Sequence, residues 1–480
     1  MARITATYLY RGPDQPLLAP AELHHEAGVI TDIRAGAAIA DSSPRTLLIP
    51  ALINAHDHAR PSASSFGTMQ MPLESWILRS ILGTPPDPYL TAARGLARSA
   101  RAGCAAMMVH YTRPSGTMPI VEEARAVARA AGDVGIRLAF ALAVRDQNPI
   151  VYGDSTEVLA PLTPAQRELV RNLFERPAAS PGDYIATVEE IAAAIGGPTV
   201  DVQFGPAGVQ WCSDVLLETI AEASSRTGRR VHMHLLETVY QRAWADQAFP
   251  NGIVPYLRDI GLLSDRLTLA HCTQARPDEL DLIAEAGARI VSNFSSNLHL
   301  RSGLAPIAEA HRRGCQITIG VDGLALDEDD DALREARLVQ MMHGGLGFQR
   351  TWTPRKFLGQ AVRNGRRATG APGWGQLAAG EPADYIVINL DRLDGDAIVE
   401  VDPLDLLFAR GNMGHIDEVV VAGRTIAKNG RVTGVDLPTV ERELASRYRE
   451  SMAAHADFLK AWPALEKQLA GWFATHAGCH

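Results

Sequence analysis

The chain has 480 residues, 46% of them hydrophobic, with a formal net charge of −9. That supplies enough apolar material for one large α/β barrel with an appendage, or for two to three ordinary domains. The acidic balance excludes a phosphate-backbone footprint, no apolar run reaches the ~18 residues of a membrane helix, and "MARITATYLYRG" has no signal-like apolar core, so a cytoplasmic protein without nucleic-acid or membrane partners is expected.

Residues 1–50 carry short alternating segments, "RITATYLYRG" and "GVITDIRAG", which predict the first part of a small β-sandwich. From residue 47 the rhythm changes. Strand-like runs follow at "LLIPALINA", "CAAMMVHYT", "RLAFALAVR", "TVDVQFGPA", "RRVHMHLLE", "LTLAHCTQ", "ARIVSNFSS" and "QITIGVDG", separated by Ala/Leu/Glu/Arg-rich stretches such as "IVEEARAVARAAGDVG". Strand and helix alternating in this way predict a (β/α)8 TIM barrel over 51–375. The stretch 150–185 is long and Pro-rich for a barrel connection and reads as a functional loop or lid. The acidic "LDEDDDALREA" reads as the solvated start of a helix. Short strands return in "GEPADYIVINLD" and "IDEVVVAGRTIAKNG", making 376–435 the second part of the sandwich. Residues 436–480 form a C-terminal helical segment, read as one long amphipathic helix from "LPTVERELASRYRESMAAHADFLKAW".

The five cysteines, Cys104, Cys212, Cys272, Cys315 and Cys479, are scattered and form no CxxC, so they read as reduced thiols rather than disulfides or a thiolate metal site. Lysine occurs only at Lys356, Lys428, Lys460 and Lys467.

Catalytic groups of a TIM barrel stand at the C-terminal ends of its strands. The first run ends in His56-Asp57-His58, the second near His110, the third in Arg145-Asp146, the fifth in His234 with Glu237, the sixth in His271 and the eighth in Asp322. Side chains two apart on a strand share a face, so His56 and His58 can both point at the barrel axis while Asp57 faces the wall. With His234 and Asp322 at the same height, three imidazoles and one carboxylate suit Zn²⁺, or alternatively Fe²⁺ or Mn²⁺. His110 by itself reads as a structural hydrogen-bonder or a substrate contact.

At these motifs the chain resembles the amidohydrolase superfamily, in the mononuclear-metal branch that holds atrazine chlorohydrolase, guanine deaminase and the S-adenosylhomocysteine deaminases. The matching stretches are "NAHDHA", "HLLET", "LAHC", "SSNLHLRSGLAPI", "IGVDG" and "GQLAAGEPADYIVINLD". The resemblance implies that His56, His58, His234 and Asp322 hold the metal, and that Glu237 and His271 are catalytic without being primary ligands. Asp322 also serves as the catalytic base beside the water. Two-metal branches use a lysine from the fourth strand, and none stands between His56 and Asp322 here. One divalent ion per chain is therefore implied. The metal would make hydroxide near neutrality, Asp322 would take the water's proton, His271 would bond the developing oxyanion, and Glu237 would protonate the ring and leaving group.

The implied reaction is deamination of a small N-heterocyclic amine of purine, pyrimidine, pterin or triazine type. The alternative is hydrolysis of an amide, carbamate, thiocarbamate or C–Cl bond at the same site. Glu74 and Trp76 in "PLESW" match a Glu-x-Trp of the adenosyl deaminases, with Trp76 either a lid over a planar ring or simple packing. Ala207 stands where those enzymes carry a His after "GP". Gln210 and Trp211 either line the pocket or pack a loop. Arg145 either holds a substrate carboxylate or carbonyl or pairs with Asp146. The family habit implies a homo-oligomer.

Overall fold

In the computed structural model, residues 2–40 and 42–476 are described; Cys479 lies outside them, and the other four cysteines are free and buried. The apolar runs make eight parallel strands: β1 (Leu52–Asn54), β2 (Cys104–Tyr111), β3 (Arg137–Val144), β4 (Val200–Pro206), β5 (Val231–Leu235), β6 (Leu267–His271), β7 (Arg289–Ser292) and β8 (Gln316–Ile319). Each pairs with its sequence neighbour. The two end strands then meet. Ala55 N–H donates to Ile319 O at 2.9 Å, Asp322 N–H to His56 O at 2.9 Å and Val321 N–H to Asn54 Oδ1 at 3.0 Å, which closes the TIM barrel. A parallel sheet covered on both faces needs mostly apolar strands, and every residue of β2 is buried. Gly320 permits the closure: a Cβ there would lie 2.8 Å from the backbone N of His56 and 2.5 Å from Asn293 Oδ1.

The first predicted run is divided between two sheets. Thr46–Pro50 pairs antiparallel with Tyr385–Asn389, and only Leu52–Asn54 enters the barrel. The change of partner falls just after Pro50: Ala51 N–H still bonds Asp384 O, while Leu52 N–H bonds Gly103 O. Both chain ends build the flanking sandwich. A three-stranded sheet (Ala2–Ala6, Ala21–Glu26, Val29–Ala35) faces a six-stranded one across Leu9, Leu23, Ile30, Leu48, Tyr385 and Val420.

The junction of sandwich and barrel is held by a buried charge. Asp384 takes Arg137 at 2.7 and 3.1 Å and Arg366 at 2.8 Å, with side-chain exposures of 0%, 8% and 3%. Burial alone would raise its carboxyl, but the two guanidinia and the Ala422 N–H outweigh it and hold it below the ordinary range. Asp384→Asn leaves two buried cations without a counter-charge and is expected to cost about 3–5 kcal/mol in denaturant unfolding. A carboxyl depressed in the folded state stabilises at neutral pH and loses that contribution on acidification below about pH 4. The Asn variant should lack that step.

Three sequence expectations change. Residues 150–185 are mostly helical, with Thr156–Leu159, Pro164–Phe174 and the start of Pro181–Ile195. Of the four prolines that suggested a loop, Pro164 and Pro181 sit in first helical turns, Pro164 behind a capping box of Thr163 and Gln166, while Pro161 and Pro177 lie between the helices. In the acidic run, Asp331 does cap the helix Ala332–His343, but Asp330 and Asp331 are buried rather than solvated. The C-terminal segment is two helices, Leu437–Ser451 and Ala456–His476, separated by a tight turn. The second lies against the helices Leu73–Arg79, Thr156–Leu159 and Pro164–Phe174. Together they form one apolar cluster containing Trp76, Tyr152, Trp211, Phe458 and Trp462 over the barrel mouth. Among the described residues, no helix is long and apolar enough to cross a membrane.

Candidate metal centre and active site

β1 leaves the barrel as "NAHDHAR". Asp57 turns to the wall, where its Oδ1 accepts the His58 and Ala59 N–H groups at 2.7 and 2.8 Å and its Oδ2 accepts Asn54 Nδ2 at 2.9 Å. That fixes the turn and sends His56 and His58 inward. Their Nε2 atoms lie 3.3 and 3.0 Å from Asp322 Oδ1. His234 stacks parallel to His58, centroids 5.4 Å apart, and His271 lies 5.5 Å from His234. Donor atoms of His56, His234 and His271 fall within 4.8 Å of one another, as do those of His56, His58 and Asp322.

The outer nitrogens fix which atom faces the centre. His58 Nδ1 bonds His110 O and His234 Nδ1 bonds Ala207 O, both at 2.7 Å. A carbonyl only accepts, so Nδ1 carries the proton and the Nε2 lone pair points to the axis. His56 Nε2 and His271 Nε2 are buried and, among the described residues, make no hydrogen bond of good geometry, only close approaches to Asp322 and Glu237. Burial brings His56 down to about 4 and His234 well below the usual imidazole range, so both are neutral at pH 7. Neutral imidazoles, orphaned nitrogens and one carboxylate fit a divalent metal such as Zn²⁺.

Two carboxyl groups are driven in opposite directions. Burial would raise Asp322, but Arg60, 3.3 Å away, and the neighbouring imidazoles outweigh it and hold Asp322 below the ordinary range. Ser296 Oγ donates to its other oxygen at 2.5 Å. Burial, then Asp322 and Glu74, push Glu237 well above the carboxylate range. Glu237 Oε2 is 3.7 Å from His271 Nε2, and its Oε1 has no partner. One ionised and one protonated carboxyl beside one centre is an arrangement suited to base and acid roles. His271 (φ 74°) and Asp322 (φ 56°) both sit in the left-handed region, where a non-glycine residue carries about 1–3 kcal/mol of strain, a feature that clusters at functional sites.

Above this floor is a cavity of about 120 Å³. Of the six residues read as substrate contacts, Trp76, Trp211 and Arg145 line it, while Glu74, His110 and Gln210 do not. Glu74 and Trp76 sit two apart on the helix Leu73–Arg79, about 200° around its axis, so they cannot face one ligand. Glu74 instead accepts from Tyr152 at 2.9 Å and Thr238 at 2.5 Å. His110 lies one layer lower on β2, fully buried, its Nε2 bonded to Gly205 O at 3.1 Å; Thr112, two residues on, reaches the cavity in its place. Gln210 is buried beside the cavity wall. Arg145 does not pair with Asp146, which is taken by Ser213 at 2.7 and 2.6 Å.

Sequence reasoning missed Arg60, Arg113, His232, Ser296 and Asn297. Arg60 lies over Trp76, 4.5 Å from its ring, and Arg113 lines the cavity while donating to Ile77 O and Ser80 Oγ at 2.5 and 2.6 Å. Asn297 Oδ1 meets His271 Nδ1 at 2.8 Å. Arg60 and His232 were accessible signals, since 56, 58, 60 and 232, 234 continue the alternate-residue spacing.

Comparison with known proteins agrees with this geometry. The amidohydrolase family model matches residues 47–426. A 5-methylthioadenosine/S-adenosylhomocysteine deaminase of Nitratidesulfovibrio vulgaris is 28% identical over 399 residues, 83% of each chain. An 8-oxoguanine deaminase of Pseudomonas aeruginosa is 28% identical over 419 residues, 85% of this chain and 88% of the relative. Among solved structures, a zinc-bound atrazine chlorohydrolase from Arthrobacter aurescens TC1 superposes with a TM-score of 0.75 at 21% identity, over 93% of this chain and 100% of that one. An adenosine deaminase from Xanthomonas campestris with bound zinc gives 0.76 at 22% identity, over 94% and 98%. With the family model covering most of its length and the same barrel beneath the site, the chain belongs to the amidohydrolase family.

Proposed function

We propose that this chain is a one-metal hydrolase that removes the amino group from a small N-heterocyclic amine of purine, pyrimidine, pterin or triazine type. The observation that carries it is the convergence of His56, His58, His234, His271 and Asp322 on one buried centre, with Glu237 beside it 3.7 Å from His271 Nε2. Two relatives that bear deaminase names support the reading. We assign His56, His58, His234 and Asp322 as ligands of a single ion, Zn²⁺ first, with Fe²⁺ or Mn²⁺ as alternatives. The absence of lysine before Lys356 supports one ion rather than two.

The ion supplies the Lewis acid that brings water to nucleophilic strength near neutral pH. Asp322 takes the proton that the attacking water gives up. Glu237 protonates the ring nitrogen and hands a proton to the departing amine. His271 donates its Nδ1–H to Asn297 Oδ1 and turns Nε2 to the centre, where it would bond the oxygen that gains charge once Nε2 takes up a proton in the reaction. Attack forms the C–O bond and leaves the carbon tetrahedral. Glu237, emptied by protonating the ring, takes the proton of the added hydroxyl and passes it to the amine. The C–N bond then breaks, its electron pair leaving as ammonia while the C=O bond forms, and the proton held by Asp322 restores Glu237. Trp76 and Trp211 offer flat apolar walls for the ring. Among the described residues Arg145 lines the cavity without a hydrogen-bond or ion-pair partner, which supports a bidentate hold on a substrate carboxylate or carbonyl. Four buried free thiols support the cytoplasm as the compartment, and exposed Met341, Leu346 and Phe348 support a homo-oligomer.

Elemental analysis of purified protein is expected to give about one metal per chain, and a panel of amino-heterocycles with coupled ammonia detection should reveal the substrate. A reproducible second equivalent of metal would overturn the one-ion reading. Turnover of amides, carbamates, thiocarbamates or C–Cl compounds with no ammonia from any amine would move the chain to that second reaction class.

A further inference from the structure

We infer that His232 is a positioning residue that sets the proton of His56 and so presents its Nε2 to the metal; the inference rests on the ligand reading proposed above. His232 and His234 stand two apart on β5 and point to the same side, His232 one layer deeper in the barrel. His232 Nε2 lies 2.7 Å from His56 Nδ1, and both residues are fully buried. The two ring planes are only 16° apart and their centroids 5.0 Å. That separation is about the N···N distance plus the two centre-to-nitrogen radii. The contact therefore runs along the ring planes, the direction of an N–H bond and a lone pair, and is a hydrogen bond rather than face stacking.

The direction of the proton follows from the other end of His56. Its Nε2 faces Asp322 Oδ1 and has no hydrogen-bond partner, as a ligand atom requires. The His56 proton is then on Nδ1, and His232 accepts it with a bare Nε2, carrying its own proton on Nδ1. The reverse arrangement would put a proton on His56 Nε2 and block ligation. His58 and His234 are held by backbone carbonyls, which no substitution of those partners' side chains removes. His56 alone of the three depends on a side chain for this bond, so His232 is where the ligand set can be loosened without touching a ligand.

The test uses full-length protein, Zn²⁺ alone and chelator competition, with no assay of turnover. His232→Phe keeps a flat apolar ring but offers no acceptor, and is expected to weaken Zn²⁺ binding about 10–100-fold. His232→Gln can present its amide oxygen to His56 Nδ1 and should restore binding to within about threefold of wild type. A packing role alone would predict the opposite order, since Phe fills the space better than Gln. Far-ultraviolet circular dichroism and thermal melting of the zinc-free proteins check the fold, and if His232→Phe does not fold, His232→Gln decides by itself against His232→Leu. Wild-type affinity in the variant without an acceptor, or failure of Gln to rescue in a folded protein, overturns the inference. Wild-type protein that binds no Zn²⁺ at all would overturn the ligand reading beneath it, a distinct outcome read in the first titration.

Discussion

Glu237→Gln is expected to retain its metal ion and to lose turnover by about 10²–10⁴-fold, the usual contribution of a positioned general acid–base group. The substitution keeps shape and hydrogen-bonding atoms but cannot carry a proton between two sites. Glu237 belongs to neither group of converging donor atoms, so elemental analysis should read the same metal content as wild type. Its surroundings also predict unchanged or higher stability, because a carboxyl pushed up by burial must take up a proton on folding at neutral pH, a cost that a neutral amide does not carry. Loss of activity with intact metal and intact melting temperature therefore isolates proton transfer. Full activity on the substrate found in the ammonia screen would remove Glu237 from the mechanism.

How much of this was legible in the sequence depended on whether the signal was local. The eight barrel strands were readable because a parallel strand buried on both faces is mostly apolar, as in β2 with only His110 and Tyr111 carrying side-chain nitrogen or oxygen and in β3 after Arg137. The inward set His56, His58, His234, His271 and Asp322 was readable because strand-end position and alternate spacing fix direction. What was lost lay in non-local pairings and in helices mistaken for loops. "LLIPALINA" looks like one strand, yet Pro50 ends one ladder and Leu52 starts another. Glu74 looked like a partner of Trp76 because the pair matches a Glu-x-Trp of the adenosyl deaminases, whereas the segment is helical here and turns Glu74 away. Arg145 had an adjacent acid as an apparent partner, but Asp146 caps the helix Asp214–Thr227 through Ser213, a contact across 67 residues that no local pattern carries.

Asp322→Asn is expected to be the most damaging single change at the site, since one carboxylate holds three tasks. As a proposed ligand its loss should weaken Zn²⁺ binding by at least about 10²-fold, the upper end of what is lost on removing an outer-sphere partner. As the proposed base its loss should leave turnover down by about 10²–10⁴-fold even when Zn²⁺ is raised to saturation. Measuring kcat against Zn²⁺ concentration separates the two, because a pure ligand role would be restored by excess metal and a base role would not. The third task is electrostatic. Asp322 is the anion next to Arg60, whose side chain is 18% exposed, and Asn leaves that cation without a counter-charge. Zinc-free Asp322→Asn should then be less stable than zinc-free wild type, by up to about 3–5 kcal/mol. Pairing the substitution with Arg60→Met should return part of that stability while leaving the zinc affinity low. Stability that fails to return in the double variant would mean that Arg60 finds another anion once Asp322 is gone, and the candidates within reach of its field are Asp57 and then Glu237.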